Sequence, residues 1–145
     1  MRSKVQKLAQ LAYECVKEVK GKEFASKYLA YARKLPSMII YNGLLTTVAF
    51  AKTKARKAYA KAEVKEGEKD KKEKNIEVLA WKILLEHLEK FLNEEGIKQD
   101  NKDLIQFLSE LEVQEYRFIT KRVLDFSLWL KRVAEGEIED EGKGD

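Results

Sequence analysis

Two residue types that most often hold metals or cross-links are nearly missing from this chain. Among 145 residues there is one cysteine, Cys15, and one histidine, His87. No intrachain disulfide can form, and zinc sites built from Cys and His sets are excluded within the chain. A Ser-His-Asp arrangement would have to use His87. That residue recurs at four-residue steps with Ile83 and Phe91 on an apolar stripe, and reads as a core or boundary histidine. Cys15 also lies on an apolar face and reads as a small core residue. Neither GxxxxGK[ST] nor GxGxxG occurs, so no phosphate-cradling loop is indicated. No apolar run approaches the roughly 20 residues that a membrane span needs, and the N-terminus lacks a signal-peptide apolar core. A cytoplasmic location is expected. Pro36 is the only proline, and the few glycines fall mostly between periodic segments.

Charge is what the chain has in excess. Charged residues make up 37% and apolar residues 44%. The charged share is well above that of ordinary globular domains. It resembles thermophile usage, and also the composition of many solvated helix faces. The charge is unevenly placed. Residues 1–74 hold 19 Lys/Arg against 8 Asp/Glu, a balance of +11, and residues 75–145 hold 10 against 17, a balance of −7. This asymmetry points to a polyanion on one side and a basic partner on the other.

Periodicity predicts an all-α fold, a single-domain bundle of five to six helices with a central hydrophobic helix. The first helix is expected over about 3–20, with Gly21 as its C-terminal cap. The second is expected over about 22–34, stopped by Pro36. The third, from Met38 to Ala51, is apolar almost all round, with Ile40, Leu44 and Val48 in the core and Asn42-Gly43 in its interior. A fourth is expected over 75–95, a short fifth over 101–110, and a sixth from near Ser109 to Glu135. Residues 1–136 are expected to form the domain. Residues 63–74, with dense mixed charge and little to bury, are expected to be a mobile loop, and 137–145 a flexible acidic tail.

The basic residues are the main candidates for function. Arg33 and Lys34 precede Pro36, while Lys52, Lys54, Arg56, Lys57 and Lys61 lie on and after the third helix. Lys52 and Arg56 share a helical face at i, i+4, as do Lys57 and Lys61. If the second and third helices pack as a pair, the two basic sets form the banks of a groove. Tyr28, Tyr31, Tyr41 and Tyr59 are candidate stacking surfaces beside them. Such a pattern suits contact with phosphate backbone, which carries little sequence information. A solvated surface is the alternative.

The stretch from Lys34 to Lys52, KLPSMIIYNGLLTTVAFAK, resembles the signature of a known family. It is similar to the small all-helical subunit of the type III-B CRISPR effector, the RNA-targeting Cmr complex. A second match comprises Tyr116, Thr120, Leu124, Trp129-Leu130-Lys131-Arg132 and Ala134-Glu135-Gly136. The resemblance implies a non-catalytic subunit without cofactors that serves antiviral defence. Its copies stack beside the backbone subunits and help line the channel where guide RNA pairs with target RNA. Its partners would be other subunits of the complex, copies of itself and the two RNAs, with no membrane and no small-molecule substrate. The matched positions place Lys34, Asn42 and Lys52 near the functional face, with Lys131 and Arg132 as further candidates. Arg33, Lys54, Arg56 and Lys57 rest on charge alone. Asn42 and Trp129 also have structural readings, as a hydrogen bond to a neighbouring helix and as core or interface. Two other classes remain open: an interaction module without nucleic-acid contact, and a metal-dependent nuclease, for which no ligand cluster or general base stands out.

Overall fold

The computed structural model describes residues 1–56, 68–99 and 101–140. Among these, six helices and no strands form one all-α domain: α1 (Lys4–Val19), α2 (Ala25–Asn42), α3 (Leu44–Ala55), α4 (Glu68–Glu94), α5 (Leu104–Ser109) and α6 (Val113–Glu137). The α1 helix opens with a capping box. Ser3 Oγ accepts from the Gln6 backbone N–H at 3.1 Å, and Gln6 Oε1 accepts from the Ser3 N–H at 2.8 Å. Gly21, with φ +85°, follows the end of α1 as expected.

The apolar segment is organised differently from its expected form. Pro36 sits inside α2, which runs on to Asn42. A proline inside a helix removes one backbone hydrogen bond and crowds the carbonyl four residues back. Here Ala32, Leu35, Pro36 and Ile39 are all buried on the face that packs inward, and their burial offsets that loss. The break falls instead at Gly43, with φ +87° and ψ 158°. This region is open essentially to glycine alone. The break resets the helical phase, so Leu44 and Val48 are buried while Ile40 is 59% exposed.

α2 lies at the centre, packed against α3, α4 and α6, while α1 covers α6. The Arg33–Glu135 contact near the end of α6 and the Tyr116–Leu45 contact near its start set α2 and α6 antiparallel. The core continues through Leu84, Leu88, Phe91 and Leu92 of α4, and Val123, Phe126 and Leu130 of α6. Phe91 and Phe126 stack at 4.6 Å. Trp81 is buried, and it stacks on Tyr31 at 4.3 Å. Val113, the first residue of α6, is exposed.

Three boundaries also move. α4 begins at Glu68, so residues 68–74 of the expected loop are helical, while 63–67 lie outside the described residues. α6 starts at Val113 and has no side-chain cap, so Ser109 ends α5 instead of opening α6. Beyond residue 136, Ile138 is buried and Asp140 is held by Arg33, while 141–145 lie outside the described residues.

Candidate nucleic-acid interface

The expected basic residues fall into two places. Arg33 and Lys34 are exposed on α2, beside the last turns of α6 that carry Lys131 and Arg132. Lys52, Lys54 and Arg56 end α3, where it meets α4 and α5. Lys57 and Lys61 lie outside the described residues, as does Tyr59. Asn42 is exposed at the last position of α2.

Several of these cations already have partners. Arg33 Nη1 donates to Asp140 Oδ2 at 2.9 Å and its Nε to Glu135 Oε2 at 3.2 Å. Lys52 bonds to Asp103, which also caps α5 by accepting from the Gln106 N–H. The Lys52 ammonium and that backbone N–H hold the Asp103 carboxyl below its usual range. Lys54 lies over the Phe50 ring at 5.4 Å, and Arg132 over Trp129 at 5.1 Å. Beside the α3 set is a cleft of about 350 Å³, floored by Val48, Leu85 and Leu104. Its rim carries Lys52, Arg56 and Lys82, but also Glu86, Glu89 and Asp103. A rim so balanced does not concentrate positive potential as a phosphate channel requires.

Lys54, Arg56 and Lys82 make no ion pair among the described residues, and α2 and α6 carry further cations in the same state. Among the described residues, Lys34, Arg117, Lys121 and Lys131 have no carboxylate within ion-pair distance. Glu135, which touches Arg33 of α2, lies five full turns beyond Arg117 on α6. Lys121, Leu124, Leu128 and Lys131 fall on the same face at three- and four-residue steps. This flank of α6 therefore borders the Arg33 edge of α2, whereas Lys34, seven residues on from the Lys27 that pairs with Glu77 and three on from the Tyr31 that stacks on Trp81, lies toward α4. Sequence reasoning missed Arg117 and Lys121. Their signal was the Lys/Arg spacing along α6, which acquires meaning only once α2 is known to lie beside it.

Of the candidate stacking tyrosines, Tyr28 is fully buried, with its hydroxyl 2.7 Å from His87 Nδ1, and Tyr31 is stacked on Trp81. Tyr41 is 83% exposed. Next to Arg117 on α6, Phe118 is 61% exposed and borders a cleft of about 470 Å³ lined by Ile97, Phe107, Leu111 and Ile119. Cys15 is buried, and that burial pushes its thiol up to about 12. No group of three or more potential metal ligands is assembled among the described residues, and none of their helices is long and apolar enough to cross a membrane.

Comparisons with known proteins agree with this architecture. Residues 4–137 match the family model described as CRISPR-associated protein (Cas_Cmr5). The chain is 28% identical over 140 residues to the CRISPR system Cmr subunit Cmr5 of Thermus thermophilus, covering 97% of this chain and all of that one. It is also similar to the crystal structure of a CRISPR-associated Cmr5 family protein from the same organism. The TM-score is 0.70 at 29% identity, over 95% of this chain and 100% of the other. With the family model spanning nearly the whole chain, and the six-helix fold shared with a solved relative, the protein belongs to the Cmr5 family of CRISPR-associated proteins.

Proposed function

We propose that the chain is a non-catalytic subunit of a Cmr effector complex that stacks with copies of itself and contacts the guide–target RNA channel through a basic face. Family membership supports its place in such a complex. The observation that supports the RNA contact is the row of cations along one flank of α6, Arg117, Lys121 and Lys131, with Lys34 on the exposed face of α2, none of them in an ion pair among the described residues. Long side chains without an ion pair among the described residues can follow phosphates at low cost, whereas Arg33 and Lys52 must first give up carboxylates. The apolar cleft beside Phe118, next to Arg117 on α6, supports contact with a neighbouring protein subunit there.

The test is target-RNA binding by the assembled complex at several salt concentrations. Replacing Lys34, Lys121 and Lys131 together by Ala should weaken binding about equally for all target sequences. The slope of log affinity against log salt should become shallower by roughly 0.7 per lost phosphate contact on single-stranded RNA. A matching replacement of Lys52, Lys54 and Arg56 should change the slope less, because Lys52 is already bound to Asp103. If the first variant assembles normally and keeps both affinity and slope, this basic face is only solvated surface, and the protein acts through protein contacts alone.

A further inference from the structure

The end of α6 and the residues after it hold carboxylates against the basic first half of the chain. The Ile138 N–H donates to the Ala134 carbonyl at 2.9 Å and closes α6, and the Ile138 side chain is buried. The backbone at Ile138 is extended, with φ −109° and ψ 131°, and takes the chain out of the helix. From that anchor Asp140 reaches α2, where its Oδ2 accepts from Arg33 Nη1 at 2.9 Å. Glu135, on α6 itself, accepts from Arg33 Nε at 3.2 Å. Lys20, just past the end of α1, is held in the same way by Glu137 at 3.2 Å.

Arg33 is thus tied down beside cations that are not. Lys131 lies one turn before Glu135 on the flank of α6 that borders Arg33, and Lys121 lies farther along that flank. Neither makes an ion pair among the described residues. The guanidinium fork that donates to a carboxylate fits a phosphate as well, so the two anions compete for the same donors. The side chains of Arg33, Glu135 and Asp140 are all about two-fifths exposed, at 41%, 39% and 43%. Ion pairs so open to water are weak enough to exchange.

We infer that Glu135 and Asp140 are a built-in competitor of RNA for Arg33. They hold the guanidinium in the unbound subunit and are displaced when a phosphate reaches the cations that Lys121 and Lys131 begin. The inference rests on the RNA-contact reading above, and adds a cation that the chain keeps occupied until RNA binds. Because the exchange is with phosphate, it sets affinity and not sequence preference.

The experiment measures target-RNA binding by the assembled complex carrying Glu135→Gln with Asp140→Asn, Arg33→Ala, or all three changes, with assembly and melting checked for each. The amides keep the side-chain size and remove the charge. The amide pair should bind target about 2- to 5-fold more tightly, the range expected for releasing exposed ion pairs, and equally for all target sequences. Asp140→Asn alone, which leaves Glu135 in place, should give part of that gain. In the Arg33→Ala background the two amides should give little gain, because the cation they release is missing. If the amide pair fails to assemble, the same comparison with Asp140→Asn alone, with and without Arg33, decides. If the amides bind no more tightly than the parent chain, the carboxylates do not compete with RNA and the inference is overturned. It is also overturned if the gain is as large without Arg33, since the lost negative charge then acts only through the general field. In both cases the RNA-contact reading stands, provided the Lys34, Lys121 and Lys131 variant still weakens binding and flattens the salt slope. If that lysine variant leaves affinity and slope intact as well, both fail together.

Discussion

His87 sits between two partners that define its proton. Glu18 is a carboxylate and can only accept, so His87 Nε2 carries the hydrogen and donates to Glu18 Oε1 at 3.0 Å. Nδ1 is then the acceptor, and the Tyr28 hydroxyl donates to it at 2.7 Å. Burial lowers the His87 pKa, and Glu18 opposes that shift without cancelling it. The histidine therefore stays neutral in the fold at a pH where the unfolded chain already binds a proton. Stability should be full above the ordinary histidine pKa of about 6.5 and fall as pH drops below it. The expected outcome is a melting temperature that declines on acidification from pH 7, with a gentler decline in His87→Gln over the same window. Thermal scans across pH for the two proteins check this. Tyr28→Phe should cost about 1–3 kcal/mol in urea denaturation, because it strands Nδ1 without a donor in the core. The core role of His87 was legible from its i, i+4 neighbours. Its two hydrogen bonds were not, since Glu18 and Tyr28 come from α1 and α2, far away in sequence.

The joint between α2 and α3 is held by a residue from another helix. Gly43 is the N-cap of α3 and has no side chain to offer its free N–H groups. The Tyr116 hydroxyl supplies the missing acceptor, taking the Leu45 N–H at 2.8 Å. Tyr116→Phe should destabilise the protein by about 0.5–1.5 kcal/mol. Gly43→Ala should cost about 1–3 kcal/mol for its backbone conformation alone, although its Cβ would meet nothing nearer than the Tyr116 hydroxyl at 3.7 Å. Equilibrium denaturation of the two variants, singly and combined, measures both terms and their coupling. This joint also shows how far the sequence could be read. The number and type of helices follow from periodicity, and so do most core positions. The break was assigned to Pro36 because local propensity disfavours proline in a helix interior. Tertiary burial overrode that rule, and the left-handed backbone at Gly43 took the break instead. Among the site residues, the exposed position of Lys34 was legible. The pairing of Arg33 with Glu135 and Asp140 was not, because more than a hundred residues separate the partners.

The charge asymmetry of the whole molecule is partly closed within it. Lys20 meets Glu137, Lys27 meets Glu77, Arg33 meets Glu135 and Asp140, and Lys52 meets Asp103. Each pair joins the basic first half to the acidic second half, so part of the opposite charge of the two halves is neutralised inside the molecule. Exposed pairs of this kind contribute little each, and apolar burial decides where the domain ends. Ile138 is buried beyond the last turn of α6, so Ile138→Ala should lose about 2–5 kcal/mol in reversible unfolding, within the usual range for a core isoleucine. The packing of α1 on α6 has a consequence for the chain during synthesis. During synthesis α1 finds its main partner, α6, only when that later helix has been made. Until then Leu8, Leu11 and Val16 remain without their full cover. The domain closes late and as a unit, and a ribosome stalled anywhere before α6 would hold a chain open to chaperones and proteases.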